Sequence, residues 1–513
     1  MKQSSQSSWW RYLGALIAGA LYPLAFAPLN WWFLALISIA AFWLLLKQQA
    51  SRCAAKIGFC YGFGLFGVGI SWVYVSINTF GNASPPLAVF LTLLFIAILS
   101  LLFAFLAWAH RRFGAKFSLS GQLIAFSLLW LALDLFQSYS FISFPWLFVG
   151  YSQTGQAFAG IGSLLGVHGL TLYLVPLAIL LAEALANRRI NSAAMLGFIV
   201  YAVIGLGLSW WGISGKIEQK GALTVALVQP NTDQHQKWNP EYFAPIVNGL
   251  LQQTENYWGA DLVVWPEAAI PAMDSQVDFL LDDLSTKAQE SGSTFITGIP
   301  LRPDPEASQI YYAGIKMLGQ QQVDYRKQQL VPFGEYVPMQ SLFRGLIDFF
   351  DLPMSSFTPG DAKQSGFETD KAYLIPAICY EIAFSNLIQR LSSKSETAGG
   401  KAKPKAILTI SNDTWFGTSW GPLQHFQMAQ MRAIENGLPV IRGTNNGITA
   451  LINHYGQVID QEPRFVTTEL AGLMPLTQRY TIFGQFGYWP LAVICLILVL
   501  TLGLNSFLRS RPR

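Results

Sequence analysis

Charged residues are scarce in this sequence, making up only 12% of its 513 residues. Soluble globular proteins carry about 25% charged residues, so this low share indicates lipid-facing surface. The net charge is only +4, and no stripe of Lys and Arg with interleaved aromatic residues occurs. We therefore expect no nucleic-acid partner.

Cysteines are also few, and none of the four stands in a CxxC motif or in a Cys/His cluster with metal-ligand spacing. This excludes the usual structural zinc sites. The sequence contains neither a P-loop nor a dinucleotide-binding fingerprint. We therefore expect no metal, no cofactor and no nucleotide.

Long apolar runs are abundant, because 52% of the residues are hydrophobic and 14% are aromatic. A helix that spans a bilayer needs about 20 mostly apolar residues. The first run has no signal-peptide cleavage site, so it is interpreted as a retained helix. The segments predicted to cross the membrane are 12–29, 31–46, 57–77, 87–108, 119–140, 167–186, 192–213 and 488–508.

The loop charges predict a single orientation, since Lys and Arg collect on the cytoplasmic side of a membrane. With the N-terminus inside, the inside segments contain all of the following basic residues: Lys47, Arg52, Lys56, Arg111, Arg112, Lys116, Arg188, Arg189 and the tail 509–513. The outside loops at 78–86 and 138–166 contain no Lys or Arg. This orientation puts both termini in the cytoplasm and residues 214–487 outside it.

Residues 214–487 have a different composition, with frequent charges and short apolar runs. A segment of roughly 270 residues can bury a full core, so we predict a membrane domain at 1–213, a separate folded domain at 214–487 and a final membrane helix with a basic tail at 488–513. Short strands alternate with helices here, which predicts an α/β domain with a mixed sheet flanked by helices. The predicted strands are 223–231, 261–267, 293–300, 372–381 and 406–413; the predicted helices are 242–257, 277–291 and 425–436; a hairpin is predicted at 447–459.

Polar residues follow several of the predicted strands: Glu267, Cys379 and the pair Asn412 and Asp413. In α/β folds, functional side chains gather at the carboxyl ends of strands. Cys379 is the only cysteine of the 214–487 segment. It is interpreted either as a small buried hydrophobe or as a nucleophile on a strand-to-helix turn.

Glu267 and Lys327 each allow two interpretations as well. Glu267 could cap a helix, or its burial beside Trp265 could raise its pKa and make it a general base. Lys327 could be a solvated surface residue, or its charge could stabilise a thiolate and an oxyanion. A Cys-His dyad with His425 as the base is a further alternative.

The contexts VVWPE, RKQQLVPFGE and ICYE resemble those of the Glu–Lys–Cys triad of the nitrilase superfamily, in the same chain order. Together with the membrane helices, an ordered set of motifs resembles the apolipoprotein N-acyltransferase family, the membrane-bound branch of that superfamily. These motifs include FPWLFVGYSQ, LVPFGEYVP, FFDLPMSSF, ISNDTWFG, QHFQMAQMRAIENG and RGTNNGITA. The resemblance covers nearly the whole chain and implies that residues 214–487 are a catalytic domain with an αββα sandwich fold. It also implies that this domain faces the periplasm from a bacterial inner membrane.

The resemblance also implies an activity and a set of roles. Glu267 would be the general base, Cys379 the nucleophile that carries an acyl group as a thioester, and Lys327 the oxyanion partner. The acyl donor would be a phospholipid and the acceptor the diacylglyceryl-cysteine of an apolipoprotein. Glu335, Tyr380 and Glu381 would support the site, and Trp238 would lie at the substrate entrance. We expect a monomer.

Two other functions are compatible with some features of this sequence. A membrane-tethered amidase or hydrolase of the nitrilase type would use the same triad, with water as the acceptor. A transporter or receptor with an inert nitrilase-like domain would carry intramembrane ionisable residues, of which this chain has few, mainly Asp134 and Glu183.

Overall fold

The structure, a computed structural model, describes residues 9–140, 143–186, 190–303, 310–336, 357–393 and 403–510. The motif residues 349–356 and the loop residues Arg188 and Arg189 lie outside these ranges. The chain divides into two compact units. One holds the described residues of Met1–Ile77, Ser84–Ser214 and Phe486–Arg513, and the other holds Asn78–Ala83 and those of Gly215–Gln485.

Twelve helices of nine residues or more occur in the described ranges. They are α1 Trp9–Leu21, α2 Phe33–Leu46, α3 Ser51–Gly69, α4 Pro85–Arg112, α5 Leu119–Tyr139, α6 Gly160–Leu185, α7 Ser192–Ile213, α8 Phe243–Thr254, α9 Asp278–Ser291, α10 Ser385–Ser393, α11 Gly421–Asn436 and α12 Trp489–Ser510. Helices α1 to α7 and α12 belong to the first unit, which we call the membrane unit.

Four described helices, α4 to α7, are long and apolar enough to cross a membrane. A bent pair, Ser51–Gly69 with Val73–Phe80, adds a fifth if it counts as one span. The predicted segments 31–46 and 488–508 correspond to shorter apolar helices, and the segment 12–29 is divided between α1 and the 3-10 turn Tyr22–Ala25. The eight predicted segments are thus four long helices, one bent pair, two shorter apolar helices and one interrupted segment.

Two breaks in these helices occur at glycines. The segment 57–77, predicted to cross the membrane, is not one straight helix, because α3 ends at Gly69 and the chain bends by 62° before the next helix begins at Val73. A β-carbon on Gly69 would lie 2.3 Å from a Leu147 methyl and 3.0 Å from Pro23, so the chain packs too closely there for a side chain. Helix α6 is interrupted at Gly166, where φ is +72°, one residue before the predicted start at 167.

The second unit, which we call the catalytic unit, contains two six-stranded sheets. The strands are β1 Ile217–Gln229, β2 Leu262–Val264, β3 Thr294–Leu301, β4 Tyr312–Leu318, β5 Val323–Arg326, β6 Phe367–Glu368, β7 Tyr373–Ile378, β8 Lys405–Ser411, β9 Val440–Thr444, β10 Ala450–Ile452, β11 Val458–Gln461 and β12 Thr468–Arg479. Their orders are β12-β1-β2-β3-β4-β5 and β11-β10-β9-β8-β7-β6.

Both sheets are mixed, with parallel strands at the centre. In the first sheet β1, β2 and β3 run parallel, and in the second β7, β8 and β9 do. The outer pairs are antiparallel, including the predicted hairpin, which is β10 with β11. The prediction of a mixed sheet flanked by helices is confirmed. The second sheet completes the αββα sandwich that the family resemblance implies.

Side chains that alternate along β2 fill two different layers. Val263 and Trp265 are fully buried in a cluster with residues of α8 and α9, so these helices cover one face of the first sheet. Val264 points the opposite way, because a β-carbon on Gly443 of β9 would lie 3.4 Å from its methyl group. A strand buried on both faces explains why this segment is a continuous apolar run.

Candidate active site

Cys379 begins the turn that follows β7. It starts the 3-10 turn Cys379–Ala383, and it is a non-glycine residue with φ of +49°. Such backbone strain persists only where the surroundings over-determine the conformation, and it is concentrated at functional sites. The thiol is buried. The predicted strand 372–381 therefore ends three residues early, at Ile378.

Lys327 follows β5 and holds an ammonium group between two carboxylates. Its Nζ lies 2.6 Å from Glu335 Oε1 and 3.4 Å from Glu267 Oε1, and its side chain is 0% exposed. Burial opposes the charge, but the two carboxylates outweigh it and raise the pKa of Lys327 well above its ordinary value. The residue therefore carries a permanent positive charge.

Glu267 stands three residues after β2 and is fixed by contacts from other elements. The main-chain N–H of Asn412, which follows β8, donates to Glu267 Oε2 at 2.7 Å. Lys237 donates from Nζ to the main-chain oxygen of Glu267 at 3.2 Å. A β-carbon on Gly298 of β3 would lie 2.5 Å from the oxygen of Pro266, so only glycine leaves room for this turn.

Electrostatics keep the Cys379 thiol protonated at rest. Burial raises the pKa of this thiol well above its ordinary value, and the charge of Glu267 raises it further, whereas Lys327 lowers it. A thiol in this state is a poor nucleophile, because the thiolate is the reactive form. A reaction at this thiol would therefore need a base that removes its proton, and Glu267 is a carboxylate that interacts electrostatically with both Cys379 and Lys327.

The predicted supporting residues occupy distinct places. Glu335 bonds Lys327 and also accepts from the N–H of Val331 at 2.8 Å, so it is held at both oxygens. Glu381 is fully buried. Its carboxylate accepts hydrogen bonds from the main-chain N–H of Gln328, next to Lys327, and from that of Ile378, next to Cys379. Tyr380 is buried, with its ring packed edge-on against Phe384.

Trp238 is half-buried and directly follows Lys237, whose ammonium group is buried against the Glu267 turn. Burial lowers the pKa of Lys237 to about 8, although the charge of Glu267 opposes this effect. The sequence reasoning missed Lys237. Its position beside the tryptophan motif was the available signal, but nothing in the local sequence marks the residue as buried.

His425 of helix α11 lies beside Asp413, which stands two residues after β8. Nδ1 of His425 is 3.1 Å from Asp413 Oδ1, and Nε2 is 3.0 Å from the main-chain oxygen of Cys379. Both ring nitrogens thus lie against groups other than the thiol, which argues against His425 as the base. Arg442 of β9, which sequence reasoning also missed, bonds Asp413 Oδ2 at 2.8 Å. In the part of the chain that the structure describes, no group of three or more His, Cys, Asp or Glu side chains is placed to hold a metal ion.

Family comparisons cover both units. Residues 18–180 match the family described as the apolipoprotein N-acyltransferase N-terminal domain, and residues 224–474 match the carbon-nitrogen hydrolase family. The apolipoprotein N-acyltransferase of Pseudomonas syringae pv. tomato is 41% identical over 506 residues, covering 97% of each chain. The chain belongs to the apolipoprotein N-acyltransferase family. The protein is therefore a membrane enzyme of the acyltransferase class.

Other relatives with the same name agree in length. The apolipoprotein N-acyltransferase of Azotobacter vinelandii is 40% identical over 97% of this chain and 96% of its own, and that of Photobacterium profundum is 38% identical over 96% and 94%. Among solved structures, the nitrilase-superfamily protein Nit3 of Saccharomyces cerevisiae is 17% identical, with a TM-score of 0.38 over 50% of this chain and 91% of its own.

Proposed function

We propose that this protein N-acylates the N-terminal diacylglyceryl-cysteine of apolipoproteins, with a phospholipid as the acyl donor and a thioester on Cys379 as the intermediate. The observation that carries the proposal is the position of Lys327, whose ammonium group contacts Glu267 and interacts electrostatically with Cys379. The family membership supports the choice of substrates. A hydrolase that uses water as the acceptor is not favoured by these relatives.

In the first half-reaction, Glu267 takes the thiol proton while Cys379 Sγ attacks the carbonyl carbon of the phospholipid ester. Lys327 stabilises the negative charge that develops on the carbonyl oxygen, which is the largest catalytic term in acyl transfer. The carbon–oxygen bond then breaks, and the proton on Glu267 passes to the departing lysophospholipid hydroxyl. A thioester on Cys379 remains.

In the second half-reaction, the neutral α-amine of the diacylglyceryl-cysteine attacks the thioester carbon. Glu267 accepts a proton from the amine, and Lys327 again stabilises the oxyanion. The carbon–sulfur bond breaks, the thiolate recovers its proton from Glu267, and the amide product leaves. Two steps allow one site to handle two bulky lipids in turn.

The proposal includes the orientation in the membrane, with both termini in the cytoplasm and the catalytic unit in the periplasm. The basic loops predict this orientation by their charge. Two contacts inside the membrane unit support the placement of these loops on one side of the membrane. Lys47 pairs with Glu183 at 2.7 Å, and Arg111 Nε donates to the main-chain oxygen of Gln49 at 2.8 Å.

The test is to incubate the purified protein with a phosphatidylethanolamine of defined chains and to measure its intact mass. We expect one added acyl mass that hydroxylamine removes, absent in Cys379→Ala and retained in the control Cys60→Ala. Adding a diacylated lipopeptide should discharge the adduct to an N-acyl peptide. Absence of any adduct in the wild type contradicts the thioester, and release of free fatty acid in place of the acyl peptide would support the hydrolase.

A further inference from the structure

The peptide that joins Cys379 to Tyr380 is held from one side by a histidine. Nε2 of His425 lies 3.0 Å from the main-chain oxygen of Cys379. Because that oxygen can only accept, Nε2 carries the hydrogen and donates it. Cys379 adopts φ of +49°, so this peptide belongs to a strained turn whose orientation depends on such outside contacts.

The direction of the carbonyl decides the direction of the next N–H. In a trans peptide, the C=O and the N–H lie in one plane and point in opposite directions. With the oxygen of Cys379 turned towards His425, the N–H of Tyr380 points away from His425. This N–H belongs to the residue that follows the nucleophile, a position from which main-chain donors can reach an oxyanion on the attacked carbon.

We propose that His425, held by Asp413 and Arg442, is a positioning residue that fixes the Cys379–Tyr380 peptide so that the N–H of Tyr380 serves as an oxyanion donor beside Lys327. This inference rests on the proposed function and adds to it the group that aims the main-chain donor beside Cys379. In this assignment His425 takes no proton from the thiol.

The contact between His425 Nε2 and the carbonyl of Cys379 does not depend on which of two neighbours bonds Nδ1. Nδ1 lies 3.1 Å from Asp413 Oδ1 and 3.1 Å from Arg442 Nη2. If Nδ1 carries a hydrogen it donates to Asp413, and if it is bare it accepts from Arg442. With either partner of Nδ1, Nε2 still faces the carbonyl oxygen of Cys379, so the positioning contact is compatible with both arrangements.

The groups behind His425 form a buried, rigid support. Asp413, His425 and Arg442 are each at most 1% exposed, and they come from three elements: the end of β8, helix α11 and strand β9. Arg442 Nη2 donates to Asp413 Oδ2 at 2.8 Å, and Ser411 Oγ donates to Asp413 Oδ1 at 2.7 Å. Burial opposes the charge of Asp413, but Arg442 and then His425 hold its pKa below the usual range, so the acceptor stays ionised.

The experiment compares two reactions of the same thiol. Alkylation of Cys379 by iodoacetamide needs the thiolate but forms no oxyanion, whereas thioester formation from a phospholipid forms one. We expect His425→Phe, which has no donor, to alkylate within about threefold of the wild-type rate and to form the thioester about 100- to 1,000-fold more slowly, the usual effect of losing one oxyanion donor. His425→Gln, whose amide can donate to the carbonyl, should recover at least about tenfold of that loss.

A thioester rate in His425→Phe that equals the wild-type rate overturns the proposal. So does an equal fall in both reactions, because that result is expected of a base or of a general loss of structure. Should His425→Phe fail to fold, Asp413→Asn provides the second variant, and it must lower the ratio of acylation to alkylation. If the wild type itself forms no thioester while its Cys379 still alkylates, the proposed function has failed rather than the role of His425.

Discussion

The carboxylate of Glu381 accepts a hydrogen bond from the main-chain N–H of Gln328 at 2.6 Å. Gln328 directly follows Lys327, and Glu381 stands two residues after Cys379. The other carboxylate oxygen of Glu381 accepts from the N–H of Ile378 at 2.8 Å, on the strand that ends just before Cys379. One buried side chain thus ties the segment that carries the lysine to the turn that carries the cysteine.

This relationship predicts that Glu381→Gln impairs both stability and acylation. An amide has one oxygen, so its NH2 group must face at least one of the N–H donors that now bond the carboxylate. A buried donor without its acceptor costs roughly 1–3 kcal/mol. We expect a lower melting temperature and slower thioester formation, measured by thermal unfolding in detergent and by intact mass. Glu290→Gln, at an exposed position of α9, is the control; unchanged values for Glu381→Gln contradict the bridging role.

Lys327→Met should abolish most thioester formation. The variant removes the charge that stabilises the oxyanion, and losing one such donor slows acyl transfer by about 100- to 1,000-fold. It also leaves Glu267 and Glu335 close together without the cation that lies between them. The matched control is Lys287→Met, which breaks an exposed ion pair with Glu255 and should keep the wild-type rate. Thioester formation at the wild-type rate in Lys327→Met would exclude the lysine from the reaction.

Gly298→Ala should displace Glu267. A β-carbon at this position would lie 2.6 Å from the Cα of Glu267 and 2.6 Å from the N of Ala268, and these main-chain atoms cannot move aside cheaply. We expect the variant to lose stability and acylation together. Gly249→Ala in α8 is the control, since nothing lies within 4 Å of its added carbon, and alanine favours a helix over glycine by roughly 1 kcal/mol. Equal stability and equal acylation rates of the two variants would contradict the close packing of Gly298 against the main chain of Glu267.

Lys237→Met should change how stability depends on pH. The pKa of Lys237 is lowered to about 8 in the folded protein, against about 10.4 in an unfolded chain. Between these values the unfolded chain binds more protons, so the stability of the wild type relative to the variant rises with pH, by roughly 3 kcal/mol in total. This advantage is lost as the pH falls through about 8.

The measurement is the difference in melting temperature between wild type and Lys237→Met, taken in detergent from pH 7 to pH 10. We expect the difference to shift in favour of the wild type as the pH rises. Lys363→Met, at an exposed position, should show no such shift. A difference that stays constant across this range contradicts the burial of the ammonium group.

Much of the site could be predicted because its residues stand at the ends of recognisable strands. Glu267, Cys379 and Asn412 follow apolar runs that do form β2, β7 and β8, and the carboxyl ends of these strands do meet. Strands β4, β5, β6, β9 and β12 were not predicted. Their apolar residues alternate with polar ones or form runs that are too short to distinguish from loops, so local periodicity could not identify them.

From the sequence alone one can read the division into apolar and mixed segments, the α/β character of the second and the chain order of Glu267, Lys327 and Cys379. These are properties of composition and of short-range pattern. The fold was needed to show which oxygen of Glu267 faces Lys327, that Glu381 bridges the segments carrying Lys327 and Cys379, and that His425 contacts the carbonyl of Cys379 rather than its thiol. The physical reason is that these hydrogen bonds join residues 46 to 60 positions apart, and their geometry depends on how two sheets and their helices pack.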